Sequence, residues 1–329
     1  MIIYYTDSDN FEARVASIDN LHEIKDAIWI DLYCPNREEE KKVEQLLGFE
    51  MPSREEMREI EFSSRLYKVN NTLFMTAMMI ADSESETPLH DAVTFILTNR
   101  QLITLRYIEP QAIRFFAQRL KKIDCEHRQP ANLLIDLLDA SIDRLADTLE
   151  LVGRRLEEFS GKVLLKPSSE KSIRGIHVKI DYQAFLRQIG MNGDLNTKVR
   201  ESLVTFNRLM IFLGQTANAR INNELQSKMS TLSEDIRSLS DYVTFLSNKV
   251  NFLLDATLGL VTIEQNNIIK IFSIAAVIFL PPTLIASIYG MNFHVMPELS
   301  WRWGYPVALC LLVVSAWLPY KFFKLKKWL

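Results

Sequence analysis

The sequence predicts a membrane protein in three parts: an α/β cytoplasmic domain, a long helical stalk and two C-terminal transmembrane helices. Three observations predict it. Residues 271–329 carry five basic side chains (Arg302, Lys321, Lys324, Lys326, Lys327) and one acid, Glu298, while the preceding 270 positions hold 33 basic and 40 acidic ones, a net of −7. That apolar end contains two charge-free runs, 271–293 and 303–320. The 113 residues between Pro167 and Pro281 include no proline and only five glycines, a composition suited to long helices.

The same numbers exclude a wholly soluble enzyme, a basic nucleic-acid binder and a low-complexity chain. Cys34, Cys125 and Cys310 are widely spaced, with no CxxC, so neither a disulfide framework nor a zinc site is expected and each is read as a buried thiol. The N-terminus, MIIYYTDSDNFEAR, lacks a basic stretch followed by an apolar one, so no cleavable signal is read and the body is expected in the cytoplasm.

Residues 1–125 read as the α/β domain. Strand-like runs fall at 2–5, 27–32, 72–80, 92–97 and 102–105, and a charged helical stretch at 37–47. Neither GxGxxG nor GxxxxGK[ST] occurs, which leaves an ATP-driven machine without support. Residues 126–194 read as a helical hairpin. Leu133, Leu137, Leu138, Ile142, Leu145 and Leu149 recur at spacings of three and four and give one helix its apolar stripe, and 173–190 gives part of another. The best turn signal is MNGDLN at 191–196. From 195 to 270 a stalk helix is expected to run straight into the membrane. Stalk and first span together, roughly 95 residues, would extend on the order of 140 Å, so the helix must lie against partners.

The first span is expected at 271–292, since about 20 helical residues cross a hydrocarbon core of roughly 30 Å. Pro281 and Pro282 stand in its middle, which favours a kinked anchor or a helix packed within a protein bundle. Residues 293–302 form an extracytoplasmic loop, 303–320 the second span and 321–329 a basic cytoplasmic tail. Lys270 before the first span and the lysines after the second place both termini inside by the positive-inside rule, in the inner (plasma) membrane.

One stripe of the first membrane helix is small or polar where its surroundings are Ile, Phe, Val and Leu. Asp255, Thr262, Asn266, Ile269, Ser273, Ala276, Leu280, Thr283, Ser287 and Gly290 form a seam with steps of three, four or seven. Most such stripes are helix-packing faces. If several copies surround an axis, the same seam lines a pore, with Leu280, Ile269 and Phe272 as apolar constrictions. A single hairpin encloses no water, so conduction requires a homo-oligomer, with cyclic symmetry favoured. The competing reading is a membrane-tethered cytoplasmic domain.

The segments YGMNF at 289–293, MPEL at 296–299 and GYP at 304–306 resemble the CorA family of magnesium transport channels, as do PPT at 281–283, IEQNNIIKIF before the span and the terminal KKWL. The resemblance in plan covers the whole chain, although the N-terminal third matches by plan more than by motif. It implies a homopentameric funnel whose first membrane helix lines the axis, with Gly290, Met291 and Asn292 as selectivity filter. Neutral amide oxygens around an intact hydrate suit Mg2+, which sheds its octahedral waters reluctantly. It further implies that Thr283 and Ser287 line the pore, that Leu280 forms a hydrophobic constriction, that Asn266 forms an inner polar ring, and that Asp255 and Glu298 form acidic rings at the two mouths.

By the same resemblance, intracellular Mg2+ is sensed by acidic pairs between neighbouring subunits, for which Glu59, Glu234 and Asp235 stand in the matching regions. Thr231 occupies a position where some relatives have Asp. The implied activity is potential-driven influx of hydrated Mg2+, with Co2+ and Ni2+ as secondary substrates, in a chain whose partners are itself, divalent cations and the bilayer, with no nucleic acid. Mg2+ is then both cargo and regulatory ligand. A zinc-transporting or efflux member of the superfamily is the nearest alternative. The filter reads Gly-Met-Asn where the zinc branch has Gly-Ile-Asn, although His294 stands beside it. A membrane-anchored divalent-cation sensor or scaffold is the alternative of another class. No nucleophile and base pairing marks an enzyme.

Overall fold

The computed structural model of the chain describes residues 1–6, 11–59, 61–120, 129–164, 181–216, 222–291, 296–297, 300–326 and 328. Two compact units divide at Leu254 and Asp255.

The first unit is built on a seven-stranded sheet: β1 (Ile2–Tyr5), β2 (Arg14–Ala16), β3 (Trp29–Tyr33), β4 (Leu66–Val69), β5 (Thr72–Ala81), β6 (Leu89–Leu97) and β7 (Leu102–Arg106). Its order is β2-β1-β3-β7-β6-β5-β4, antiparallel except for the pair β3 and β7. Apolar runs with period two are split between two cores. Trp29, Met75, Phe95 and Leu102 point into one, packed against the long helices; Ile30, Phe74, Ile96 and Ile103 point into the other, with Val43 and Met57 of the short helices. Burial on both faces is why these strands read as continuous apolar segments.

The expected helix at 37–47 is α1 (Arg37–Leu47). Asn36 caps it by accepting from the Glu39 amide at 2.8 Å while the Glu39 carboxylate accepts from the Asn36 amide at 2.9 Å, and Gly48 ends it at φ +79°. Three short helices follow, α2 (Arg54–Arg58), α3 (Phe62–Arg65) and α4 (Gln111–Arg119). The long helices are α5 (Pro130–Leu164), α6 (Tyr182–Thr216) and α7 (Asn223–Tyr289). The whole expected leucine stripe of α5 is buried.

The turn expected at 191–196 is absent, because α6 runs straight through it. Its turn-forming residues serve helix packing instead. Asn192 donates back to the Gln188 carbonyl at 2.7 Å, Asn196 donates to the Val243 carbonyl at 3.1 Å and to Ser247 Oγ at 2.9 Å, and a Cβ on Gly193 would stand 3.2 Å from Val250. The stalk helix therefore begins at Asn223, where Asn222 accepts from the Leu225 amide at 2.8 Å, and has 67 residues, not about 95. Two thiols also depart from expectation: Cys34 and Cys310 are exposed. Cys34 sits at φ +45° just after β3 and donates to the Tyr107 carbonyl, while Cys310 lies in the last apolar helix. Cys125 lies outside the described residues.

The second unit holds the end of α7 and α8 (Gly304–Leu325), both long and apolar enough to cross a membrane. Pro281 and Pro282 do not stop α7. The second helix continues five residues past Tyr320, so Lys321 and Lys324 are helical and lie over the Trp317 and Tyr320 rings at 4.8 and 5.9 Å.

Candidate functional site

Within the second unit, Lys270 on α7 stands over the ring of Trp328 at 5.4 Å, so the start of the first apolar run and the chain's end share a level. At the other end of the pair, Tyr289 and Gly290 line a crevice with Trp301 and Tyr305. Twenty residues, 270 to 289, separate the two levels on α7, and at 1.5 Å each they cover about 30 Å, the thickness of a hydrocarbon core. Lysines and aromatic rings cluster at the first level, as at a membrane interface.

Every residue of the expected seam is exposed: Asp255, Thr262, Asn266, Ile269, Ser273, Ala276, Leu280, Thr283, Ser287 and Gly290, as are Phe272 and Met291 beside it. Steps of three and four keep them on one side, drifting by about 20° per heptad, which a tilt or left-handed supercoil of packed copies corrects. The single chain therefore leaves the whole stripe uncovered, and Ile274 is the buried apolar side chain among the described residues of 271–291.

The hydroxyls on the seam have a definite polarity. Thr262 donates to the Leu258 carbonyl at 2.9 Å and Thr283 to the Phe279 carbonyl at 2.7 Å. Each proton is turned into the helix, so each oxygen presents lone pairs outward. Pro281 and Pro282 bring no N–H to the Val277 and Ile278 carbonyls, which adds backbone acceptors to the same segment.

The helix ends on a tightened turn. The Gly290 amide is shared between the carbonyls of Ala286 (3.0 Å) and Ser287 (3.2 Å), and the Met291 amide donates to Ile288 at 3.3 Å. A Cβ on Gly290 would stand 3.3 Å from the Ala286 carbonyl, a crowded approach that explains a glycine there without a positive φ. Asn292, His294 and Glu298 lie outside the described residues.

The expected regulatory acids fall in the first unit. Glu59 is exposed and ends α2, beside Arg58, which with Arg54 grips Asp91 at 2.6 and 3.1 Å. Burial alone would raise the Asp91 carboxyl, but the Arg58 guanidinium, the Ala92 amide and Arg54 together hold it at about 2. Glu234 and Asp235 are exposed on α7.

Asp235 adjoins an acidic row on α5 that sequence reasoning missed. Burial lifts the Asp143 carboxyl above its ordinary range, and Asp139, Asp147 and Asp235 lift it further against Arg119. Lys228 meets the same row at Asp136 (2.5 Å) and Asp139 (3.5 Å). The spacing 136, 139, 143, 147 was a legible signal of one helix face. Among the described residues, no group of three or more His, Cys, Asp or Glu side chains is arranged to hold a metal within one chain.

Comparison with known proteins gives a consistent result. The model of a family described as CorA-like Mg2+ transporter protein matches residues 25–327. The chain is 34% identical over 312 residues, 95% of each chain, to the magnesium transport protein CorA of Escherichia coli (strain K12). It is 33% identical over 312 residues, again 95% of each, to the protein of the same name from Yersinia pestis. The complete structure of the CorA magnesium transporter from Methanocaldococcus jannaschii superposes with a TM-score of 0.74 at 21% identity, covering 100% of this chain and 99% of that one.

Proposed function

The chain belongs to the CorA-like Mg2+ transporter family, and we propose that it is a homopentameric channel carrying hydrated Mg2+ inward, driven by the membrane potential. The observation that carries this reading is the uncovered seam of α7, which offers acceptor oxygens at Thr262 and Thr283 and apolar constrictions at Leu280, Ile269 and Phe272. Within the span, the hydroxyls of Ser273, Thr283 and Ser287 gain little against lipid and become useful when symmetry-related copies turn them toward a shared aqueous axis.

In that assembly the Gly290-Met291-Asn292 triplet is the filter. The crowded Gly290 fixes the helix end, and Asn292 amide oxygens accept from the water shell of an ion that keeps its six waters. Rings of Asp255 and Glu298 raise the local cation concentration at the two mouths. A divalent ion gains about 4.6 kcal/mol per 100 mV of inside-negative potential, which is why no nucleotide site is needed. Co2+ and Ni2+, similar octahedral hydrates, are secondary substrates.

The lysines at 321–327 support an orientation with both termini in the cytoplasm. Regulation is read as Mg2+ bridging acids of neighbouring subunits, with Glu59, Glu234 and Asp235 as donors. When intracellular Mg2+ falls, the unscreened carboxylates repel and the closed arrangement loses its advantage.

The test is Mg2+ flux into proteoliposomes held at a fixed potential, wild type against Asn292→Ala, with Zn2+ and Co2+ alongside. Wild-type Mg2+ flux abolished by the substitution supports the assignment. Zn2+ passage without Mg2+ passage, or no flux of any metal, defeats it.

A further inference from the structure

The two membrane helices leave a gap at the end where α7 stops. Ala286 and Gly290 of α7 and Gly304 and Ala308 of α8 line a half-open crevice of about 420 Å³. Ile285, Leu309 and Leu312 complete apolar walls around these small residues, and an apolar space of this size does not stay empty beside fluid hydrocarbon. An apolar cavity of about 150 Å³ is already enough to take up benzene.

The rim has a distinct chemistry. Trp301 and Tyr305, amphipathic rings of the kind that settle at headgroup level, flank the opening, and Arg302 brings the one charge among the lining residues. Arg302 is exposed, and Glu298, the single acid of residues 271–329, lies outside the described residues. An apolar slot with a cation and two interfacial aromatics at its mouth matches a molecule with a hydrocarbon tail and an anionic head.

We propose that this crevice holds an anionic phospholipid from the leaflet at the 290–304 end, with an acyl chain between α7 and α8 and its phosphate on Arg302. The lipid then packs against Ala286 and Gly290, where the membrane helix ends, and braces that turn. The inference rests on reading α7 and α8 as membrane spans, and it does not require that the chain conduct ions.

The experiment is native mass spectrometry of the full-length protein in detergent, titrated with phosphatidylglycerol or phosphatidylcholine. Wild type is expected to retain phosphatidylglycerol in preference. Arg302→Gln, an exposed change, should weaken that binding about fivefold and remove the preference. Ala308→Trp should block both lipids, and Lys324→Gln, at the opposite end of α8, should leave the Arg302-dependent fraction intact. An unchanged preference in Arg302→Gln overturns the proposal, as does unchanged lipid retention in Ala308→Trp. Dissociation of the Ala308→Trp oligomer into single chains also overturns it, because the crevice would then seat a second copy. Lipid retention as expected in a wild type that carries no Mg2+ in the flux assay would support this proposal and count against the channel reading alone.

Discussion

Replacing Thr283 by valine isolates the acceptor role of the seam. The side chain is exposed, and its hydroxyl proton is committed to the Phe279 carbonyl at 2.7 Å, so only lone pairs face outward. Valine keeps the β-branch and nearly the same volume, and the Phe279 carbonyl still has its ordinary helical donor. The helix should lose less than about 1 kcal/mol and the fold should be unaffected. Conduction loses more. Each hydrogen bond between a water of the hydrate and a seam oxygen is worth about 1 kcal/mol net, a factor of roughly five in rate. With two or three subunits engaged at once the loss is roughly 30- to 150-fold. The assay is Mg2+ influx into proteoliposomes at a fixed potential, read with an enclosed Mg2+ dye, with Thr283→Ser as the variant that restores the acceptor. Flux in Thr283→Val equal to wild type, or a Thr283→Ser variant as impaired as the valine, would refute the reasoning.

Two further predictions concern the first unit. Asp31, 2% exposed, accepts from Arg106 Nη2 at 2.8 Å and from Thr104 Oγ1 at 2.7 Å, so Asp31→Ala leaves a buried guanidinium unpaired and should cost about 3–5 kcal/mol in chemical unfolding of the full chain; a loss below about 1 kcal/mol would contradict it. Asp91 is held at about 2 against an ordinary 3.8, so its stabilising effect is complete above the ordinary value and disappears as pH falls through the lower one. Unfolding midpoints measured from pH 5 down to 2 should fall less steeply in Asp91→Asn than in wild type, and parallel curves would show that the arginine grip contributes nothing.

Local signals carried most of what the sequence made legible. The limits of α1 are read to the residue because Asn36 and Gly48 act within a few positions of the helix they bound. The five core strands are visible because burial on both faces makes them apolar throughout. Edge strands β2 and β4 are hidden, since Arg14, Val15, Lys68 and Val69 are exposed and carry no period-two contrast. At 191–196 the local propensity of Asn and Gly points to a turn, and tertiary packing overrides it: Gly193 admits Val250, and Asn196 is occupied by the α7 backbone. The seam depends only on helical period, and its positions on α7 are helical and exposed. The company of Asp235 was not, because its neighbour Asp143 stands 92 positions earlier and only the packing of α5 against α7 joins them.

The chemistry of the seam also bears on which ion it suits. A hydrated cation presents water hydrogens to its surroundings, and a hydrated anion presents water oxygens. On α7 the seam threonines have spent their protons on Leu258 and Phe279, and the proline pair withdraws two donors from the same helix. At these positions acceptors outnumber donors, beside apolar side chains that offer no counter-charge. In the proposed pore such a surface would solvate the outer shell of a cation hydrate without holding the metal itself, which would keep binding weak enough for the ion to leave. A carboxylate at position 283 would grip the hydrate harder and slow its release, whereas a lysine there would oppose its entry. In the proposed path an acid is expected at the mouth and neutral oxygens along the length, and this is the order in which Asp255 and then Asn266, Ser273, Thr283 and Ser287 stand on the helix.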